Sequence, residues 1–255
     1  MEAAGDRAAG DHAVAADVAA RVGRELQTLR RRLVQEGAVG ADIREQGDRT
    51  AHDLIVRMLA ERCPRDAVLS EEGADPSGRL QAHRVWIVDP LDGSAEFGRL
   101  DSPDWAVHVA LVVEGSLVAG AVALPTWNVT FATGVSSDPP PLHRPLRLLV
   151  SPSRPPANAP ALAARLGAEL VGMGSAGAKA MAVLRGDAAA YVHSGGQYEW
   201  DTAAPVAVAR AAGLHASRID GSPLIYNQPD PFLPDVVICH PALAEQVLGA
   251  VASLN

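Results

Sequence analysis

Aromatic residues and cysteines are both scarce in this chain of 255 residues. Aromatic side chains make up 4% of the sequence, whereas hydrophobic residues make up 48%. This composition excludes intrinsic disorder and predicts a folded protein whose core is packed from small aliphatic side chains. Cys63 and Cys239 are too few for a disulfide framework. Because each lies next to apolar residues, we predict two reduced and partly buried thiols.

Positive charge is also in short supply. The chain has 22 Lys and Arg residues against 30 Asp and Glu residues, with a net charge of -8 and a pI near 5.4. An acidic surface repels polyanions, so we expect neither nucleic acid nor a membrane as a partner. The sequence also lacks a secretory signal and any uninterrupted apolar run of about eighteen residues, which predicts a cytoplasmic protein.

The most informative stretch is residues 85–97, VWIVDPLDGSAEF. Its four leading apolar residues predict a buried strand, and the proline and glycine that follow predict a turn at the strand end. The carboxylates of Asp89 and Asp92 and the carbonyl of Leu91 can then converge on one point, in the oxygen-rich coordination that Mg²⁺ prefers. The alternative is a turn that uses Asp, Pro and Gly for backbone reasons alone.

Two other acidic turns follow apolar segments or begin helices: Glu71 with Glu72, and Asp201 within EWDTAA. If Glu71 and Asp201 share a cleft with the acids of residues 85–97, the carboxylates repel one another unless divalent cations neutralise them. The sequence therefore predicts a metal cluster. For Glu71, a pair of surface glutamates in a loop is the simpler alternative.

The water-activating groups are expected on Ser94 and Asp48. Gly93 and Ser94 lie where a helix could begin, and helix N-terminal amides bind phosphate. A metal-activated water that is hydrogen-bonded to Ser94 and Asp48 would be placed for in-line attack on a phosphate ester. Asp48 also precedes a helical pattern, so an N-cap role is its alternative.

The order of elements predicts two lobes, residues 1–140 and 141–255, divided at a proline-rich segment. Residues 1–10 are expected to form a disordered tail, and residues 12–33 an amphipathic helix. A hairpin with a glycine-containing turn is predicted at 107–124, where His108 is expected to be a hydrogen-bonded core histidine. Strands and helices alternate after residue 145, which indicates an α/β lobe.

Three motifs resemble the signature of the inositol monophosphatase superfamily: WIVDPLDGSAEF, EWDTAAPVAVARAAG and LSEEG. The resemblance implies a two-lobe layered α-β-α-β-α sandwich of the inositol monophosphatase and fructose-1,6-bisphosphatase type, and a phosphomonoesterase that uses two or three Mg²⁺ ions and is inhibited by Li⁺. It implies metal binding by Glu71, Asp89, the Leu91 carbonyl, Asp92 and Asp201. It also implies phosphate binding by Gly93 and Ser94, and water activation by Asp48 and Ser94, with Ser94 in place of the family's threonine.

Within the superfamily the chain is similar to the CysQ-type 3′-phosphoadenosine 5′-phosphate phosphatases, through GSAGAKAM, AYVH and DGSPLIYN. This similarity implies hydrolysis of the 3′-phosphate of adenosine 3′,5′-bisphosphate, or of its sulphated form, to AMP or adenosine phosphosulphate in sulphur assimilation. It implies substrate contacts from Ser175, Lys179 and Asp201. Where these nucleotidases often carry Ser-Arg-Ser-His, this chain has Ser153-Arg154-Pro155-Pro156, so one histidine is missing.

Three alternatives stay open. The enzyme could act on inositol 1-phosphate or fructose 1,6-bisphosphate, or the chain could be a catalytically silent nucleotide sensor. The assembly is open between a monomer and a homodimer. The retained acids weigh against the sensor, because clustered acids without a cation are costly.

Overall fold

The computed structural model describes residues 2–75, 77–135 and 138–254, and within them the chain forms five layers. The outermost layer contains helix α1 (Glu2–Gln35) and helix α2 (Gly40–Arg62). The predicted helix over residues 12–33 is confirmed, and its stripe of Val18, Val22 and Leu26 is fully buried. The predicted disordered tail is wrong from residue 2 onward, because the alanine-rich start has high helix propensity and continues into α1. Met1 lies outside the described residues.

The second layer is a five-stranded sheet. The elements of this part of the chain are β1 (Ala67–Ser70), β2 (Arg84–Asp92), the one-turn helix α3 (Ser94–Phe97), β3 (Ala106–Val113), β4 (Ser116–Leu124) and β5 (Val129–Ala132). The strand order is β1-β2-β3-β4-β5, in which β1 and β2 are parallel and the remaining pairs are antiparallel. The predicted hairpin is formed by β3 and β4, and its turn is made by Glu114 and Gly115, both with positive φ.

The rest of the described chain forms a second five-stranded sheet and the helices on its two faces. Its elements are β6 (Leu146–Val150), α4 (Ala159–Leu166), β7 (Ala168–Gly172), α5 (Ala176–Leu184), β8 (Ala190–Tyr198), α6 (Glu199–Ala211), β9 (His215–Ser217), β10 (Phe232–Cys239) and α7 (Ala244–Ala252). The strand order is β7-β6-β8-β10-β9. Helices α5 and α6 lie between the two sheets, while α4 and α7 pack on the far face. The predicted layered sandwich is confirmed.

The central core lies between the two sheets and is built from small aliphatic residues, as the composition predicts. Gly120 on β4 allows α6 to approach closely, because a Cβ there would lie 2.6 Å from the Cβ of Ala207. The division at residues 140 and 141 stays a prediction. Both cysteines are free thiols, and Cys239 is buried whereas Cys63 is half-buried. None of the helices in the described ranges combines the length and apolar character needed to cross a membrane.

Candidate active site

A bulge at the end of β2 brings two of the predicted metal ligands together. Asp89 pairs with His108 of β3 and Asp92 pairs with Ala106, so the register shifts between the two acids. In a regular strand, residues three apart point to opposite faces of the sheet, whereas a bulge changes the direction of the side chains that follow it. The backbone N–H of Leu91 donates to Oδ1 of Asp89 at 3.0 Å. The strand therefore continues through the segment that the sequence predicts as a turn.

A third carboxylate, that of Asp201, approaches this pair from α6, the helix that follows β8 of the second sheet. Asp201 lies in the first turn of α6, where its Oδ2 accepts a hydrogen bond from the backbone N–H of Tyr198 at 2.7 Å. Asp89, Asp92 and Asp201 each offer an oxygen atom, and these atoms lie within 4.8 Å of one another. A set of oxygen donors alone suits a hard divalent cation such as Mg²⁺. The residues therefore fit a divalent cation.

The crowding of the acids changes their protonation. Burial, followed by the charge of Glu71, raises the pKa of Asp89 well above its usual range. Glu71 is open to solvent on one side, but the surrounding cleft still desolvates it, and together with the charge of Asp201 this raises its pKa to about 7. Burial and the charge of Asp92 raise the pKa of Asp201 to about 6. A bound cation would displace protons from this cluster.

Asp92 differs from its neighbours because the start of α5 surrounds it with donors. Its carboxylate accepts hydrogen bonds from the Ser175 hydroxyl, from Ala176 N at 3.0 Å and from Gly177 N at 2.7 Å. Burial alone would raise the pKa of Asp92, but the charge and contact of His108, with Lys179 and Ser175, lower it below the usual range. Asp92 is therefore ionised and joins the first sheet to α5.

Lys179, the only lysine in the chain, is buried on α5. Its Nζ donates to the Ser175 carbonyl at 2.6 Å and lies 5.0 Å from the centre of the Tyr191 ring. Burial lowers the pKa of Lys179 to about 8, although the charge of Asp92 opposes the shift. Ser175 and Lys179, predicted from sequence as substrate contacts, thus also organise the protein around Asp92.

One cleft of about 470 Å³ contains most of the predicted site. This volume lies in the usual range for small-ligand sites. Leu91 contributes its backbone, because its side chain is buried in the core between the first sheet and helices α1 and α2. The predicted residues that line the cleft are Glu71, Asp89, Leu91, Asp92, Gly93, Ser94, Ser175, Lys179 and Asp201.

Asp48 is not among the described residues that line this cleft. Helix α2 begins at Gly40, so Asp48 lies two turns inside it and the N-cap alternative is wrong. Burial and the charge of Glu72 raise the pKa of Asp48 to about 6. Its neighbour Gly47 packs so closely on α3 and the end of β2 that a Cβ would lie 2.6 Å from the Phe97 ring and 2.8 Å from the Leu91 side chain. Water activation by Asp48 and Ser94 stays a prediction.

The cleft also contains residues that the sequence did not single out for a role. His193 and Tyr191 line it from β8, two residues apart and on one face of the strand, so the period-two alternation of AYVH could have indicated them. Nε2 of His193 lies 3.2 Å from the Gly196 carbonyl, whereas its Nδ1 has no hydrogen-bond partner among the described residues. Arg99 and Arg154 add positive charge to the rim.

The DGSPLIYN segment, which contributes to the similarity with the nucleotidases, includes a Pro-Leu-x-Tyr element at residues 223–226 that lies outside the cleft. Leu224 and Tyr226 of the Pro-Leu-x-Tyr element are buried in the core between the sheets. The Tyr226 hydroxyl donates to Oγ1 of Thr202 at 3.3 Å. In the described part of the chain, residues 223–226 do not line the cleft, so this element acts through packing.

Fold and cleft together define a layered α-β-α-β-α protein with a cluster of carboxylates between its two sheets that could bind a divalent cation. The chain belongs to the inositol monophosphatase family, whose sequence profile matches residues 8–140 and 147–254. A 3′-phosphoadenosine 5′-phosphate phosphatase of Mycobacterium bovis is 51% identical over 217 residues, which cover 82% of this chain and 81% of that protein. A protein of the same name from Mycobacterium leprae is 46% identical, covering 94% of this chain and 93% of that protein. The crystal structure of CysQ from Bacteroides thetaiotaomicron, a bacterial member of the inositol monophosphatase family, has a TM-score of 0.74 and 26% identity, covering 91% of this chain and 97% of that one.

Proposed function

We propose that this protein is a Mg²⁺-dependent phosphatase that removes the 3′-phosphate of adenosine 3′,5′-bisphosphate and releases AMP, with the sulphated nucleotide as a second substrate. The observation that carries this proposal is the charge distribution of the cleft. An acidic cluster lies at its base, while the cations Arg99 and Arg154 lie at its rim. A substrate with two separated phosphates matches both regions. The names of the two mycobacterial relatives, both 3′-phosphoadenosine 5′-phosphate phosphatases, support the same substrate.

In this proposal the acids hold the cations and the β2–α3 loop holds the phosphate. Bound Mg²⁺ would neutralise phosphate charge and make water a better nucleophile at neutral pH. Gly93 and Ser94 orient the phosphate, and Ser94 with Asp48 orients the attacking water. The water oxygen bonds to phosphorus while the bond from phosphorus to the 3′-oxygen breaks, and one proton of the water ends on that oxygen. The groups proposed to hold two or three Mg²⁺ ions are Glu71, Asp89, the Leu91 carbonyl, Asp92 and Asp201.

The nucleoside and the 5′-phosphate occupy the rest of the cleft. Arg154 is exposed on the loop after β6, where the histidine of the Ser-Arg-Ser-His motif is missing. Its guanidinium can bind a phosphate through two parallel hydrogen bonds. Ser175, Lys179 and Asp201 face the nucleotide at its reacting end, and His193 lines the cleft beside the nucleoside.

Phosphate release from three substrates tests the proposal. Adenosine 3′,5′-bisphosphate, inositol 1-phosphate and fructose 1,6-bisphosphate are compared side by side, with Mg²⁺, with excess chelator, and with Mg²⁺ plus millimolar Li⁺. We expect the nucleotide to have the highest kcat/KM, no turnover in chelator, and inhibition by Li⁺. A higher kcat/KM for either of the other substrates would contradict the nucleotidase proposal. The chain would then have the activity of another member of the family.

Asp89→Asn separates an enzyme from a catalytically silent nucleotide sensor. The variant should lose at least about 100-fold in kcat, because its amide carries no negative charge to bind the cation. Asp138→Asn, at an exposed position outside the cleft, is the matched control and should retain full activity. Unchanged turnover by the Asp89 variant would refute the metal assignment.

A further inference from the structure

His108 lies next to the acidic cluster, on the strand that pairs with the one carrying Asp89 and Asp92. It is fully buried in the middle of β3, where it pairs with Asp89 of β2 on one side and with Val122 of β4 on the other. A histidine in the interior of an aliphatic sheet is costly unless its polar atoms find partners. Nδ1 lies within hydrogen-bond distance of a backbone carbonyl, whereas Nε2 lies close to a carboxylate oxygen of Asp92 but makes no hydrogen bond of good geometry among the described residues.

The two contacts of the ring reach Asp92 and the residue before Asp201, which lie on different parts of the fold. Nε2 of His108 lies 3.1 Å from Oδ2 of Asp92, at the end of β2. Nδ1 lies 3.2 Å from the backbone carbonyl of Trp200, in the first turn of α6. Trp200 directly precedes Asp201. One imidazole thus connects the carboxylate of Asp92 to the peptide that carries Asp201.

The start of α5 is shaped to fit this ring. A Cβ at Gly177 would lie 2.1 Å from Nε2 of His108, a distance that no side chain tolerates. The N–H of Gly177 also donates to Oδ2 of Asp92, the same oxygen that His108 approaches. A glycine at this position therefore allows helix and imidazole to reach the same carboxylate oxygen.

We propose that His108 is a positioning residue, which holds Asp92 and the Trp200–Asp201 peptide at a fixed separation and so preorganises the divalent-cation site. This inference rests on the cation site of the proposed function, but not on the identity of the substrate. Ligands that are preorganised bind a cation more tightly, because less ordering is needed on binding. The loss of the ring should therefore weaken cation affinity more than it alters the binding of the nucleotide.

Calorimetric titration of Mn²⁺ into the metal-free full-length protein tests the proposal without substrate. His108→Leu should weaken Mn²⁺ binding by about 10-fold or more, in the range of outer-shell substitutions. His108→Gln can place an amide nitrogen near the position of Nε2, and His108→Asn near that of Nδ1, so each keeps one contact. Both should bind Mn²⁺ more tightly than the Leu variant. The Mg²⁺ concentration for half-maximal activity should follow the same order, while KM for the nucleotide at saturating Mg²⁺ changes less.

Gly177→Ala supplies a second route that leaves the histidine in the sequence. The added methyl group should displace the ring and weaken Mn²⁺ binding, whereas the same change in the His108→Asn background should add little, because Asn leaves the position of Nε2 empty. His83→Gln is the matched control, since His83 lies 3.0 Å from Glu114 at the exposed, opposite end of the sheet. It should leave Mn²⁺ affinity unchanged.

The outcomes separate this inference from the proposed function. Failure of the wild-type protein to bind Mn²⁺ would remove the cation site on which both rest. Normal binding by the wild type and equally tight binding by all the folded His108 variants would overturn the positioning role alone. Additive losses for Gly177→Ala and His108→Asn would also contradict it, because the two changes would then act independently. If His108→Leu does not fold, the Asn, Gln and Gly177→Ala variants decide the question.

Discussion

The carboxylate of Glu199 accepts a hydrogen bond of 2.6 Å from the backbone N–H of Asn227. The N–H of Gln228 donates to the same carboxylate at 2.7 Å. From the other side, Nη1 of the buried Arg79 donates to Oδ1 of Asn227 at 2.8 Å. These contacts fasten the segment after the Pro-Leu-x-Tyr element to the first turn of α6, two residues before Asp201. The residues that follow this element therefore stabilise the helix that carries a predicted metal ligand.

Replacing Glu199 should destabilise the fold. Glu199→Ala leaves the N–H groups of half-buried Asn227 and exposed Gln228 without their carboxylate acceptor. Hydrogen bonds to a charged group contribute about 1.5–3 kcal/mol each, and water can replace part of them here, so we expect a loss of about 2–4 kcal/mol in the free energy of unfolding. Urea denaturation monitored by circular dichroism measures it. Glu245→Ala, at an exposed position in the first turn of α7, is the control and should change stability little. A stable Glu199→Ala protein that loses only activity would contradict the fastening role.

The sequence predicted the secondary-structure elements better than it predicted the contacts between distant elements. Local patterns placed the strand before Asp89, the hairpin at residues 107–124 and the helix at residues 12–33, because these depend on periodicity and turn residues within one segment. The bulge between Asp89 and Asp92, and the close approach of Gly177 to His108, depend on contacts between distant segments. For this reason the sequence treated His108 as a core histidine and left His193 without a role.

The stability of the metal-free protein should fall as pH rises through neutrality. The folded protein raises the pKa of Glu71 from 4.5 to about 7 and that of Asp201 from 3.8 to about 6, so at these two groups it binds more protons than the unfolded chain in this range. Burial lowers the pKa of His193 and His215, which act in the opposite direction. Stability gained from the two acids is present at low pH and is lost as pH rises through their folded pKa values. Thermal unfolding in chelator should show a Tm that decreases from about pH 5 to about pH 8.

Saturating Mg²⁺ should reduce this decrease, because the cation replaces the protons as the neutralising charge. Glu71→Gln should flatten the Tm profile in chelator, since it removes one of the shifted groups. Asp92 does not change the expected direction of the Tm change, because its pKa is lowered and it titrates below this pH range. A Tm of the metal-free protein that rises between about pH 5 and about pH 8 would contradict the arrangement of the acids.

Gly93 should tolerate no side chain. Its φ is 84°, in the left-handed region, and a Cβ there would lie 2.8 Å from the Asp104 carbonyl oxygen. Gly93→Ala should cost about 1–2 kcal/mol in backbone strain and should also displace the loop that carries Ser94. Steady-state kinetics should show a loss of kcat beyond the loss of stability. Gly115→Ala is the matched control, because Gly115 has a φ of 78° but no atom within 4 Å of an added Cβ, so it should lose stability while its kcat is retained.

The two rim arginines should recognise the 5′-phosphate and not the phosphate that is cleaved. Arg154→Ala should raise KM for adenosine 3′,5′-bisphosphate by about 10-fold or more, the expected effect of losing a charge-assisted contact. The same variant should hydrolyse adenosine 3′-monophosphate as the wild type does, because that substrate lacks the group that Arg154 binds. Arg99→Ala should have the smaller effect, since Arg99 is already paired with Glu96 at 3.2 Å. Arg57→Ala, on α2 outside the cleft, is the control.

The comparison of the two substrates in these variants also determines which phosphate of the nucleotide lies at the arginines. A binding loss that is equal for the two substrates would place the reacting phosphate at the arginines and would contradict its placement at the acids. A loss confined to the bisphosphate assigns the arginines to the 5′-phosphate, which leaves only the 3′-phosphate within reach of Asp89, Asp92 and Asp201. Arg154→Lys refines the result, because lysine keeps the charge but cannot form the bidentate contact. If KM for the Lys variant lies between those of the wild type and Arg154→Ala, the recovered part of the effect is due to the charge and the rest is due to the bidentate geometry.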